Sequence, residues 1–277
     1  MAQAFPTTTI GGLEISRLII GSNTFLGYSH FSKARDKWLR EYFTDDRIVE
    51  VMSYCAEQGL NAFLSGYFDH VRTILDRVEK ATGVHINWFA TPGNLPTGWG
   101  AWKEDIKRCA DAGAEFVLPH QCYSDNACHR DEGIIVGFDE MFPYIRELGM
   151  RPGVSSHTPE TIITCDKAGY GADVYIQPLN PIGFLCQVET DWMENMFQQI
   201  STPFICIKPL GAGRVLPPTG LRYVYSAIKP VDTVCIGMMS VLEAQEDIKL
   251  ARAILDGQRA VPELQVTRSK AYLKKQT

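Results

Sequence analysis

A single closed (β/α)8 barrel is the fold class this sequence predicts. Short apolar runs alternate with longer amphipathic stretches from one end to the other, the pattern of repeated βα units around a parallel sheet. Eight such units can be counted in 277 residues, a length that suits one such barrel. No linker or break in composition separates them, as two packed domains would require, so one domain is expected over residues 1–277.

The first strand is expected at residues 17–22, the second at 62–66, the third at 87–91 and the fourth at 116–120. The fifth follows at 151–155, the sixth at 174–177, the seventh at 204–208 and the eighth at 233–237. All read as continuous buried strands, as parallel strands covered on both faces do. Helix starts punctuate the intervals. Asp69 is placed to cap the helix through Ile74 and Val78, and Thr158-Pro159 sets a hydroxyl before a proline at the first helical position. Ser240-Val241-Leu242-Glu243 is a capping box that opens a final helix. Gly59, Gly113, Gly149 and Gly169 each close a helical stretch just before the next strand.

Composition narrows the function classes. With 45% hydrophobic and 21% charged residues, the chain is too apolar for disorder. The net charge of −5 arises from interspersed acids and bases, without the basic stripe of a nucleic-acid binder. Neither a secretory leader nor a bilayer-length apolar stretch is present, so a cytoplasmic protein with no membrane partner is expected. Cys55, Cys109, Cys165, Cys206 and Cys235 lie inside apolar runs and read as reduced core thiols. No Cys-x-x-Cys pair supports a zinc ribbon or an iron–sulfur site.

In such a barrel the chemistry gathers on the loops after the strands. Three of these are long. Residues 23–43 mix Phe25, Tyr28, His30, Trp38 and Arg40 and suggest a lid; residues 92–102 carry Trp99 and Trp102; residues 121–137 carry Cys122, Tyr123, Cys128 and His129.

Gly11-Gly12-Leu13-Glu14-Ile15-Ser16-Arg17-Leu18-Ile19-Ile20-Gly21 resembles the first hairpin and strand of the aldo-keto reductases. Gln58-Gly59-Leu60-Asn61-Ala62-Phe63 is similar to that family's approach to its second strand, and Pro152-Gly153-Val154-Ser155 to its fifth. Lys208-Pro209-Leu210-Gly211-Ala212-Gly213 resembles the seventh-strand loop and Val231-Asp232-Thr233-Val234-Cys235-Ile236-Gly237 the eighth strand. The resemblance spreads over almost the whole chain in the right order and implies a barrel of the aldo-keto reductase type.

Those reductases use Asp, Tyr, Lys and His to protonate a carbonyl while NADPH delivers hydride. By the resemblance, Leu64 stands at the Asp position and Pro92 at the Lys position. Asp69 stands at the Tyr position, with Tyr67 two residues early. Only His120 keeps its family residue. Ser155 is retained on the fifth strand, but Ser156 replaces an amide-binding Asn, Ile207 an aromatic that stacks on nicotinamide, and Glu243 falls near the arginine for the 2′-phosphate. NADP(H) is therefore disfavoured; if a nucleotide or phosphate binds, Ser155, Gly211, Gly213 and Arg214 are its expected contacts.

The remaining polar residues at strand ends suggest other chemistry on a small-molecule substrate. His120, His157, Asp69 and Tyr67 are the expected catalytic set, and Asn23, Trp99, Trp102, Gln177, Asn180 and Lys208 the expected substrate contacts. A divalent metal, if one binds, would use His120, His157 and His70. Three readings follow. The first is acid–base chemistry (isomerisation, elimination or hydrolysis) on a small hydroxylated or carbonyl compound, centred on His120. The second is an NAD(P)H-dependent reductase whose proton donor has moved, for instance to Tyr67. The third is an inactive binding or regulatory barrel.

Overall fold

The computed structural model describes residues 5–93, 102–258 and 267–274. The chain opens on an antiparallel hairpin, β1 (Thr7–Ile10) and β2 (Leu13–Ser16), with Ile10 opposite Leu13. Gly11 and Gly12 turn it at φ 53° and 80°, the left-handed values that a two-residue turn demands.

The barrel begins with β3 (Leu18–Gly21), followed by α1 (Lys33–Tyr42) and α2 (Asp45–Glu57). Next come β4 (Ala62–Ser65), α3 (Val71–Thr82), β5 (Asn87–Ala90) and α4 (Trp102–Asp111). After β6 (Phe116–Val117) the chain makes an excursion through α5 (Gln121–Ala127) and a small hairpin, β7 (Cys128–His129) with β8 (Ile134–Ile135), before α6 (Phe138–Glu147). The remaining units are β9 (Arg151–Ser155), α7 (Pro159–Ala168), β10 (Val174–Pro178) and α8 (Thr190–Gln199), then β11 (Phe204–Ile207), α9 (Pro217–Ala227), β12 (Thr233–Ile236) and α10 (Val241–Leu255). A last short helix, α11, spans Arg268–Lys274.

Eight strands close in the order β3-β4-β5-β6-β9-β10-β11-β12, all parallel. Closure is made by β12 against β3, with Cys235 opposite Ile19 and Ile236 opposite Ile20. All eight expected strands form. The fourth ladder stops at Val117 rather than residue 120, yet Leu118 and His120 still donate to the carbonyls of Ala90 and Pro92, so the extended path continues to the rim. The seventh stops at Ile207, because Lys208 turns to φ 63°.

Two packed layers result. Inside the barrel Leu64, Phe89, Phe116, Leu118 and Ile176 fill the space, and Ile10 and Ile15 of the hairpin join them. The rings of Phe89 and Phe116 stack at 4.1 Å and 11°. The larger layer lies between strands and helices, where Trp88, Phe63, Tyr175 and Phe204 pack against apolar helix faces. Parallel strands covered on both faces in this way read as unbroken apolar runs.

The capping expectations divide. Ser240 caps α10 by accepting from the Glu243 N–H, and the Glu243 carboxylate reaches back to the Met239 N–H at 2.7 Å. Gly59, Gly113, Gly149 and Gly169 all adopt left-handed φ. Asp69, however, does not cap α3: the helix starts one residue later than expected, His70 occupies the cap position without a capping bond from its side chain, and Asp69 is exposed. Thr158 stands at the N-cap of α7 before Pro159, but its hydroxyl makes no cap bond. The long segments are also less open than expected, since α1 lies within residues 23–43 and α5 with its hairpin within 121–137.

Candidate functional site

Three loops and one strand end bring nitrogen bases to the C-terminal mouth. His120 follows β6, His157 follows β9, Lys208 follows β11, and His30 reaches in from the segment after β3. The Lys208 Nζ lies 2.7 Å from His30 Nε2, and the Asn23 amide nitrogen lies 3.3 Å from the same atom. Arg214 holds His30 from behind, donating to its carbonyl at 3.3 Å while its guanidinium lies 4.5 Å over the Phe184 ring. Among the described residues, no carboxylate comes within 4.0 Å of the Lys208 ammonium.

Burial, and after it this shared cation, sets the protonation of the imidazoles. Burial, then the Lys208 charge, pushes His120 down to about 4; burial, Lys208, His120 and His30 do the same to His157. His30 is likewise lowered to about 4, by burial first and Lys208 second. Burial lowers Lys208 itself to about 8. At neutral pH the mouth therefore holds three uncharged imidazoles around one ammonium.

A pH dependence of stability follows. Each imidazole titrates lower in the folded protein than in the unfolded chain, so the unfolded chain binds more protons between pH 6.5 and 4. Its contribution is present above about pH 6.5 and is lost as pH falls through this window. Water at the mouth screens the groups, which keeps each slope below about 1.4 kcal/mol per pH unit. Urea unfolding from pH 7 to 4.5 should show a smaller loss in His157→Gln than in the wild type; parallel curves would refute the assignment.

His120 owes its orientation to the helix it opens. It sits at the N-cap of α5, and its Nδ1 accepts from the Cys122 N–H at 3.2 Å. That bond leaves the ring proton on Nε2. His157 is set by Asp125 of α5, whose carboxylate accepts from the His157 N–H at 3.0 Å, from the Thr161 hydroxyl at 3.0 Å and from the Ser156 hydroxyl. Burial raises the pKa of Asp125 and outweighs these bonds, which lower it. Asp125 thus ties α5 to the start of α7.

Other expected site residues lie elsewhere. Tyr67 packs against Trp88 on the helix side of the wall, at 6.5 Å between centroids. His70 is exposed and pairs with Asp45 at 3.2 Å, so the set of His120, His157 and His70 is not assembled. Among the described residues, no group of three or more His, Cys, Asp or Glu side chains could hold a metal ion. Trp102 meets Tyr144 edge-on at 5.8 Å; Trp99 lies outside the described residues.

Gln177 turns away from the barrel interior, because Val174 and Ile176 take the inward positions of β10. It is fully buried and its amide has no hydrogen-bond partner among the described residues. Asn180 spends its amide on the Phe184 N–H and carbonyl, both at 2.8 Å, and so shapes the loop that carries Phe184 to Arg214. Ser155 is buried, its carbonyl accepting from the Ser124 hydroxyl. The Gly211, Gly213 and Arg214 N–H groups bond the carbonyls of Lys208, Leu210 and Gly211 in a tight turn.

Sequence reading singled out neither His30 nor Asp125. His30 lay in the aromatic segment read as a lid, but nothing in it indicated the left-handed φ of 52° at that residue. Asp125 offered only a polar residue in a loop, and its partners lie more than thirty residues away.

These features define a parallel (β/α)8 barrel with a nitrogen-rich mouth. Its fold is that of the aldo-keto reductases, matched at low sequence identity. A Pseudomonas aeruginosa protein assigned to those enzymes superposes with a TM-score of 0.66 at 15% identity, over 90% of this chain and 96% of that one. A glycerol dehydrogenase from Gluconobacter oxydans gives 0.60 at 13% identity, over 94% and 98%. The orotidine 5'-phosphate decarboxylase of Pyrococcus horikoshii also matches, at 0.51 and 11% identity over 85% and 99%. No family model matches the sequence, and neither does any curated protein. No helix among the described residues is long and apolar enough to cross a membrane.

Proposed function

We propose that this chain is an enzyme acting on a small carbonyl or hydroxylated metabolite by acid–base chemistry centred on His120. The observation that carries the reading is the fixed tautomer of His120. Its Nδ1 is committed to the Cys122 N–H, and Nε2 keeps a proton with no protein partner among the described residues. A neutral imidazole held this way donates to a substrate oxygen, as a weak but correctly placed acid does. Lys208 adds positive charge for a carbonyl or carboxylate oxygen, and the neutral His157 is the available base. An anionic carbonyl compound suits a mouth whose ammonium lacks a carboxylate partner among the described residues.

The fold comparisons favour a second reading, a nicotinamide-dependent reductase with a relocated proton donor, because the proteins named above include a dehydrogenase and an assigned reductase. The nucleotide end argues against NADP(H). Glu243 places a carboxylate on the Met239 N–H, where the charge of a 2′-phosphate would be repelled, and the Gly211 turn consumes its own N–H groups. The residues present therefore do not fit that cofactor.

Turnover of a panel of small 2-oxo and 2-hydroxy acids, followed by mass detection with and without NADH or NADPH, separates the readings. Product without nicotinamide is expected. Product formed only with stoichiometric oxidation of NADH or NADPH would overturn the proposal in favour of the reductase.

A further inference from the structure

We propose that the Lys208 ε-amine is itself a nucleophile, forming an imine with the carbonyl carbon of a 2-oxo acid or aldehyde, with His30 carrying its protons. The inference rests on the reading that a small carbonyl compound binds at this mouth, and adds a covalent step to it.

Three observations support it. Lys208 is seated on the barrel rim with no carboxylate within 4.0 Å among the described residues, so no ion pair holds its charge. A half-buried ammonium without a counter-charge among the described residues is costly, and its desolvation favours the free amine. The only hydrogen bond its Nζ makes among the described residues is to a base, His30 Nε2 at 2.7 Å. That base is oriented by a third group, Arg214, through the His30 carbonyl. Nucleophile, base and orienter in sequence is the arrangement expected of an activated amine. Finally, the backbone at Lys208 is left-handed, φ 63°, which an L side chain adopts at a cost, and the Gly211 N–H holds it there through the Lys208 carbonyl at 2.9 Å. The strain turns the lysine into the mouth at the point where the strand ends.

The step balances without a redox partner. His30 takes one proton from the Lys208 ammonium, and the freed nitrogen pair attacks the carbonyl carbon. The C–N bond forms as the C=O π pair moves to oxygen, which His120 Nε2–H hydrogen-bonds and which receives the proton back from His30. A second proton leaves nitrogen by way of His30 and departs with the hydroxyl as water. The product is a protonated imine, and one water is released for one carbonyl consumed.

The test is reductive trapping of the folded protein with sodium cyanoborohydride and either glyoxylate or pyruvate, read by intact mass and peptide mapping. With a pKa of about 8, Lys208 holds far more free amine at neutral pH than an ordinary lysine near 10.4. An adduct at Lys208 should form at least about tenfold faster than at exposed Lys33 and Lys37. Lys208→Met should abolish it, and His30→Gln should slow it about tenfold or more with the melting temperature unchanged. Equal labelling of Lys208 and surface lysines, or none at Lys208, overturns the inference. If Lys208→Met still turns over a substrate that His120→Asn does not, the imine falls while the acid–base reading stands. If neither substitution alters turnover, both fall.

Discussion

Replacing His120 by asparagine is expected to slow the chemical step about 10²–10⁴-fold, the usual contribution of a positioned acid or base, while leaving the fold intact. Asparagine is the informative substitution because His120 has two duties. One is local: its Nδ1 accepts from the Cys122 N–H and caps α5. Asparagine is among the best N-caps and keeps that acceptor, whereas alanine would forfeit about 1 kcal/mol of helix stability and confuse the readout. The other is chemical, resting on Nε2–H, which asparagine does not place at the same reach. A fall in kcat at constant melting temperature would separate these duties. Unchanged turnover in a folded variant would reduce His120 to a capping residue.

Phe116→Ala is expected to lower the unfolding free energy by about 3–5 kcal/mol, on the order of 10 °C in melting temperature. Phe116 is fully buried in the barrel interior and stacks on Phe89 at 4.1 Å. The Arg151 guanidinium lies 5.6 Å over its ring, and Arg151 also donates to the Gly11 carbonyl of the hairpin. Truncation leaves a cavity bounded by strands and hairpin that cannot collapse without moving the β-sheet. Urea unfolding measures the loss, and turnover per folded molecule should hold. A loss under about 1 kcal/mol would mean that the interior repacks freely, contrary to the stacking described.

Phe116 and His120 also show why one part of this protein was easier to read than the other. Phe116 belongs to an apolar run of strand length, and burial on both faces writes such runs directly into composition. All eight barrel strands were visible for that reason, as was the Ser240 capping box, in which both partners sit within four residues. The rim positions of His120, His157 and Lys208 follow from where those runs end. Partnerships across loops leave no such trace. Asp69 carried every local sign of a cap, yet α3 starts at Val71; Gln177 sat at a strand end, yet pleat alternation turns it from the interior.

Local pattern alone was therefore enough for the periodic part: eight buried strands, their intervening helices, and the rim residues that their ends deliver. Which polar side chains meet depends on the closure of the barrel. Lys208 finds His30 across 178 positions of chain, Asp125 finds His157 across 32, and Tyr67 and Trp102 pack against neighbouring aromatic rings. Local pattern encodes burial, because transfer from water acts on each residue where it stands. A hydrogen bond or a shared charge acts only between groups the closed barrel has already brought within a few ångströms.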